Sequence, residues 1–215
     1  MSADAPEGWK PTAPPADPAA ARRLREWLAD PGHNLNGMGQ SFRGANLSGG
    51  NFSSCWFTDA VLVDVPLVGA SFYRADLQSA DLTRADLTDA DMVKANLDKA
   101  ILRSAVFDGA DLVGASLCGA DARGASFRGT QFIGAVLLAT DMRGADLSEA
   151  VVRDNFFEIK IDDTTVVRGL RGTVFGPITV VEGDSAREVG GAELEAWIAA
   201  RGGEVQVIPP RRPSR

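Results

Sequence analysis

From Gln40 to Ile159 the chain repeats every five residues without a break. Ala75-Asp76-Leu77-Gln78-Ser79, Ala80-Asp81-Leu82-Thr83-Arg84 and Ala85-Asp86-Leu87-Thr88-Asp89 show the pattern plainly. Every fifth residue from Phe42 to Phe157 is a centre, 24 in all: 12 Leu, 8 Phe and 2 Met, with Val152 and Ala122 as departures. The position two before the centre is Ala in 17 units, otherwise Gln40, Gly50, Cys55, Val65, Thr130, Thr140 or Asn155. A period of five matches neither a helix nor a plain strand. Self-similarity at a fixed short period is the mark of a solenoid.

Two apolar positions that lie two apart point to the same side of a short extended segment. The other three positions face water, and they are the variable ones. A five-residue segment cannot bury its own apolar pair, so segments must stack on their copies. The position two after the centre is Gly in ten units, including Gly109, Gly114, Gly119, Gly124, Gly129 and Gly134. Glycine at a fixed repeat position predicts a turn residue with positive φ. The expected object is a coil of short sides and tight corners.

The A(D/N)LXX units resemble those of pentapeptide-repeat proteins over about 120 of the 215 residues. That resemblance implies an all-β solenoid, a right-handed quadrilateral β-helix with four units per coil and so about six coils. With strands about 4.8 Å apart the rod would be roughly 29 Å long. It also implies a non-enzymatic protein with no shared catalytic residues. Its best-studied members bind type II DNA topoisomerases as mimics of duplex DNA, some of them conferring antibiotic resistance. The members of one branch that protect topoisomerases carry loops that interrupt the repeats; this sequence has none.

A formal charge of −7 argues against direct nucleic-acid binding and for a basic partner. No apolar run approaches the roughly 18 residues of a membrane span, and the N-terminus does not resemble a signal peptide, so the expectation is a cytoplasmic protein. Cys55 falls inward and Cys118 outward, three coils apart. At about 14 Å they are too far apart for a disulfide, and both are expected as free thiols.

Residues 1–16, rich in Pro and Ala, are expected to be disordered. Asp17-Pro18 opens a capping helix, N-cap and first helical position, and 17–39 forms that helix and its linker. Leu24, Trp27 and Leu28 give the helix one apolar face. It covers the first coil, or binds a partner. After the β-helix at 40–159, residues 160–208 read as a β/α segment with a second helix whose face is Leu194, Trp197 and Ile198. The motif Leu24-Arg25-Glu26-Trp27-Leu28-Ala29 is echoed by Leu194-Glu195-Ala196-Trp197-Ile198-Ala199. The second helix is a cap or, as the resemblance to gyrase-binding members that dimerise through their C-terminal ends suggests, a homodimer contact. A basic tail, 209–215, is expected to be disordered.

Catalytic, cofactor and metal sites have no candidates. His33 is the single histidine, so a Ser/His/Asp or Cys/His site cannot be assembled. One His and two distant Cys give no zinc spacing. The glycines sit where the repeat puts them, not in a phosphate-cradling motif. The aspartates just before the centres are read as solvated positions near turns.

Residues 20 apart stack in columns, which gives the four sides distinct surfaces. The side of Leu47, Leu67 and Leu87 carries Asp86, Asp89, Asp108, Asp146 and Glu149. The side of Phe57, Leu77 and Leu97 carries Asp59, Asp76 and Asp98. These eight form a candidate acidic interaction surface. The side of Phe42, Leu62 and Leu82 instead stacks Arg103, Arg123 and Arg143 beside Asp121 and Asp141. The solenoid's 16 acidic and 10 basic residues leave −6, against roughly 17 charges on duplex DNA of equal length. Mimicry of DNA therefore fits two sides only. The fourth side stacks Tyr73, Val93, Val113 and Ile133 outward, a candidate apolar interface. The leading expectation is a protein–protein interaction scaffold, the alternative a modulator of DNA gyrase or another topoisomerase.

Overall fold

The computed structural model describes residues 8–30 and 32–208. The expected disorder of residues 1–7 and of the basic tail 209–215 lies outside that range. The coil has a 20-residue period, written in parallel bridges such as Trp56 to Asp76, Asp76 to Asn96 and Asn96 to Ser116. Four such ladders run through each coil, so there are four faces. Face 1 holds the centres Phe42 to Met142, face 2 Leu47 to Leu147, face 3 Phe52 to Val152 and face 4 Phe57 to Phe157.

Backbone pairing explains the five-letter alphabet. The centre donates to the next coil, as Leu82 N–H does to Ile101 O at 2.8 Å. The residue before it donates to the previous coil, Asp81 N–H to Ala60 O at 2.9 Å. The turn residue two after the centre donates forward, Arg84 N–H to Arg103 O at 3.0 Å. The small residue closes the corner, Ala85 N–H to Leu82 O at 2.9 Å. One N–H per unit, that of the residue after the centre, is left over. The Asp or Asn before the centre accepts it: Thr83 N–H to Asp81 Oδ1 at 3.0 Å, Asp98 N–H to Asn96 Oδ1 at 3.0 Å. The aspartate column is therefore structural, because a half-buried N–H without a partner is costly.

Corner residues take positive φ, from +66° at Gly114 to +60° at Lys94 and +56° at Asp89. Inside, centres and small residues are buried throughout, and aromatic rings stack between coils, Phe107 on Phe127 at 5.0 Å and Phe52 on Phe72 at 5.3 Å. Where a polar residue replaces the small one, its hydroxyl donates to a carbonyl one coil back, Thr130 to Phe107 O at 2.7 Å and Thr140 to Leu117 O at 2.9 Å.

The coil is longer than 40–159 at both ends. It starts at Leu35, which is buried and donates its N–H to Cys55 Sγ at 3.2 Å, while Gly37 N–H reaches Trp56 O at 2.7 Å. In that unit the large residue stands two before the centre and glycine at the centre, the reverse of the repeat. A Cβ on Gly37 would lie 3.0 Å from the rings of Phe42 and Phe57.

Residues 8–16 are not disordered but lie along the first coils. The Trp9 indole meets Phe52 edge-on at 5.5 Å and donates to Ser48 O at 2.9 Å; Ala16 N–H reaches Arg43 O at 2.8 Å. Gly50 makes the room, since a Cβ there would fall 2.5 Å from Phe52 and 2.8 Å from Trp9. Helix α1 (Pro18–Ala29) follows, with Asp17 as N-cap accepting Ala20 N–H at 2.8 Å. Leu24 and Trp27 are buried, Trp27 stacking on Phe52 at 5.8 Å.

At the other end sheet strands replace the regular bridges: β1 (Thr140–Asp141), β2 (Val151–Phe156), β3 (Ile159–Asp162), β4 (Arg171–Phe175), β5 (Ile178–Glu182), β6 (Ser185–Val189) and β7 (Glu204–Ile208), with α2 (Gly191–Ala199) before β7. They form two sheets, ordered β1-β3-β5-β6 and β2-β4-β7. Winding continues past 159 with altered spacing: Val152 pairs Gly172 but Asn155 pairs Val174, a step of 20 shrinking to 19. β5 is still a rung, parallel to β3 with Lys160 opposite Thr179; β6 then turns back antiparallel on it and, with α2, leaves the coil before β7 returns beside β4.

Candidate interaction surfaces

The eight acidic candidates divide by role. Asp76 and Asp86 close the leftover N–H of Gln78 and Thr88, and Asp146 that of Ser148. Asp98 and Asp108 do the same one coil ahead, taking Cys118 N–H at 2.9 Å and Arg128 N–H at 3.1 Å with the hydroxyls of Ser116 and Ser126. Serine before a centre reaches the N–H two residues on only at long range, as Ser71 Oγ does Tyr73 N–H at 3.5 Å, and at Ser116 and Ser126 the aspartate beneath supplies the acceptor. That complement, Asp98 under Ser116 and Asp108 under Ser126, was readable 18 residues apart in the sequence. Asp59, Asp89 and Glu149 are exposed corner residues with positive φ.

Ion pairing separates the faces. Among the described residues, Asp146 and Glu149 meet arginines, Arg128 at 2.9 Å and Arg171 at 3.5 Å. The other six have no ion pair. On face 1 Asp64, Asp121 and Asp141, though not Asp81, are neutralised by a ladder of arginines. Arg103 Nε donates to Asp121 Oδ2 at 2.7 Å, and Arg123 grips Asp121 through Nε and Nη2 at 2.8 and 2.7 Å. Arg143 holds Asp141 the same way, and Arg84 holds Asp64 at 2.6 and 2.7 Å. Hydrogen bonds from Arg123 hold the Asp121 carboxyl well below the usual carboxylate range, and Arg84 does so for Asp64. These pairs are largely solvent-exposed and contribute little stability each. Their consequence is that face 1 presents no net acidic field.

The apolar candidates Tyr73, Val93, Val113 and Ile133 stand on four successive coils of face 3, all half-buried. Arg74 lies over the Tyr73 ring at 5.4 Å. The strands after residue 159 pair with the coil no earlier than Thr140, so the C-terminal segment does not fold back over this column. Leu194, Trp197 and Ile198 of α2 are buried against the end of the coil, and Glu195 Oε1 accepts Val207 N–H of β7 at 2.8 Å. An aromatic group escaped the sequence reading: exposed Phe156 against Phe175, 5.8 Å between ring centroids. Phe156 precedes the centre Phe157, a position that elsewhere is mostly polar.

Cys55 and Cys118 are free thiols. Burial pushes the Cys55 thiol up to about 11. No group of three His, Cys, Asp or Glu capable of holding a metal exists among the described residues. No described helix is long and apolar enough to cross a membrane.

The profile for pentapeptide repeats (8 copies) matches residues 70–109, 100–137 and 110–149. Residues 70–149 of the solenoid are pentapeptide repeats. Proteins of this family fold as right-handed quadrilateral β-helices, in agreement with the four ladders. No curated protein sequence matches the chain. Among solved structures it is similar to HetL, a pentapeptide-repeat protein involved in heterocyst differentiation regulation from the cyanobacterium Nostoc sp. strain PCC 7120. The identity is 25%, over 66% of this chain and 73% of HetL, with a TM-score of 0.56. It is also similar to a trypsin-treated variant of QnrB1, described as a plasmid-mediated fluoroquinolone resistance protein. Here the identity is 18%, over 80% of this chain and 78% of QnrB1, with a TM-score of 0.55.

Proposed function

We propose that this pentapeptide-repeat protein is a non-enzymatic, cytoplasmic interaction scaffold whose acidic faces 2 and 4 receive the basic surface of another protein. The observation that carries this is the contrast in compensation. Six carboxylates on those faces have no ion pair among the described residues, while Asp64, Asp121 and Asp141 on face 1 are each held by arginine. The backbone fixes the coil spacing, so the charges are presented at set intervals on a rigid support, which favours recognition and association rate.

A second reading gives the same faces a more specific partner, the DNA-binding surface of gyrase or another topoisomerase. The uncompensated acids favour it too; the likeness to QnrB1 contributes the fold alone. For α2 we adopt the cap reading, because Leu194, Trp197 and Ile198 bury their apolar face on their own chain; a homodimer would need another surface.

Charge can be changed here without touching the fold. Asn46 and Asn96 already do the work of the aspartates before the centres, so Asp76→Asn and Asp86→Asn keep the N–H bond. Lys94 and Lys99 already occupy corners at φ near that of Asp59 and Asp89, so Asp59→Lys and Asp89→Lys are conformationally neutral. Against a face 1 control, Arg103→Gln, the four-site variant should lose salt-sensitive capture of partners from cell extract. In a gyrase supercoiling assay with a fluoroquinolone, it should lose any effect of the parent. Equal capture by parent and variant would overturn the scaffold reading. No effect of the parent on supercoiling would overturn the topoisomerase reading alone.

A further inference from the structure

Deepening the scaffold reading, on which it rests, we infer that face 3 docks an amphipathic α-helix of a partner protein lying along the rod axis. The footprint is the column Tyr73, Val93, Val113 and Ile133. Its coils are stitched by Arg74 N–H to Val93 O, Lys94 N–H to Val113 O and Gly114 N–H to Ile133 O, each at 2.9 Å. Ser53 precedes the column and Arg153 ends it, so the apolar stretch covers three coil steps, about 14 Å.

The spacing selects the secondary structure of the occupant. A helix laid along the rod returns a side chain to the surface every 5.4 Å or so. An extended strand does so every two residues, about 6.6 Å. Coils recur at about 4.8 Å. Over three steps the helix drifts out of register by roughly 2 Å and the strand by roughly 5 Å, so only the helix can seat four successive side chains.

The flanks select its charge. Across face 3 the column runs between the residues before the centres and the corner residues. Asp91 and Asp111 stand on the first side, half-exposed and without an ion pair among the described residues. On the second stand Arg74 and Lys94, followed by Gly114 and Gly134, where the corner has no side chain to hold a partner off. The complementary helix carries basic residues on one shoulder and acidic residues on the other, which also fixes its direction along the rod.

Size argues for a helix rather than a second copy of this chain. The strip is roughly 14 Å by 10 Å, far below the 800 Å² or so that each partner contributes to a stable protein–protein interface. A helix of about 12–14 residues matches it.

The probe is a stapled 14-residue peptide with Leu at positions 1, 5, 8 and 12, Lys on one shoulder and Glu on the other, read by fluorescence anisotropy. The parent should bind it, a scrambled peptide should not, and Val93→Lys with Val113→Lys should weaken binding at least tenfold. Should that variant unfold early, Val113→Thr with Ile133→Thr replaces it, since Thr83 and Thr88 hold equivalent positions, and it should also weaken binding. Equal binding of the scrambled peptide, or unchanged binding by a folded variant, would sink the inference. So would a solution mass that halves in the variant, since a second copy would then be the occupant. The four-site variant of faces 2 and 4 leaves this face intact, so failure of the peptide to bind beside normal salt-sensitive capture condemns the helix site only.

Discussion

The two ends of the rod meet the same problem, an apolar interior open to water, with helices that look alike in sequence and act differently. At the N-terminal end Trp27 is inserted as a plug. It is 1% exposed, stacks on Phe52 and donates Nε1–H to His33 O at 2.9 Å, while Trp9 meets Phe52 edge-on. Gly50 hollows the first coils for Phe52 and Trp9, and Gly37 does so for Phe42 and Phe57. At the C-terminal end Gly203 makes room for Ile198 of α2, where a Cβ would fall 2.6 Å from it, but among the described residues no glycine is cleared for Trp197. Trp197 is 9% exposed, with the Arg201 guanidinium over its ring at 3.7 Å, so one face of the indole meets a cation rather than the core. The difference teaches that a helix motif does not specify a cap; the coil beneath it does.

The largest expected effect breaks that comparison directly. Trp27→Ala removes a stacked, hydrogen-bonded plug and should cost about 3–5 kcal/mol; Trp197→Ala should cost about 2–3, because Arg201 covers part of the exposed site. In a solenoid each coil depends on its neighbours, so amide exchange should quicken first in the coil nearest the substituted tryptophan. Equal losses from the two variants in urea unfolding would show that the ends are equivalent after all.

This asymmetry bears on what the sequence could reveal. The coil from Phe42 to Phe157 was legible because nearly every inward pair has one large and one small member in fixed order, Ala120 with Ala122 being an exception. Leu35 and Gly37 reverse that order and hid the true start. At the far end, steps of 19 residues, such as Thr140 to Ile159, shift the five-residue frame by one and hid the continuation. Residues 8–16 have the composition of a disordered tail, and only the gap above Gly50 shows why Trp9 is held. The apolar column and the acidic faces were legible as side-chain patterns. The duty of the aspartates was not, because the N–H they accept belongs to the backbone and has no letter.

A smaller effect sharpens the C-terminal side of the comparison. β7 is the last strand of its sheet, and its outer edge is the kind of exposed backbone that invites pairing with another chain. Glu195 occupies one of its N–H groups from α2, so the cap helix blocks the edge as well as covering the core. Glu195→Ala should cost about 1–2 kcal/mol and raise the tendency to associate end to end, seen as a concentration-dependent mass. At the N-terminal end the edge is met by backbone instead, Ala13 O accepting Asn46 N–H at 2.9 Å, and Asp17→Ala should destabilise α1 without changing the mass. A monomeric Glu195→Ala at all concentrations would remove the edge-blocking role.

The smallest effect separates the ends by pH. The C-terminal turn is organised by Asp162, whose Oδ1 accepts Gly144 N–H at 3.1 Å and both the N–H and hydroxyl of Thr164 at 3.0 and 2.7 Å. Burial opposes the charge, but these hydrogen bonds outweigh it and hold the carboxyl below its usual value. A carboxyl depressed in the folded state adds stability that is complete above the unfolded value, about 3.9, and is lost as the pH falls through the folded one. Asp141 and Asp146, in the same part of the rod, are depressed as well, whereas the N-terminal plug is made of Trp9, Trp27 and Phe52, which do not titrate there. Acidification below pH 4 or so should therefore speed amide exchange around residues 144 and 162–166 before it affects residues 42–57. Asp162→Asn can still accept the Thr164 N–H but carries no proton to gain, so its C-terminal exchange should be faster at neutral pH and flatter towards acid. If the two ends of the parent loosen together on acidification, the polar turn is not what closes the C-terminal end, and the contrast with the apolar plug fails.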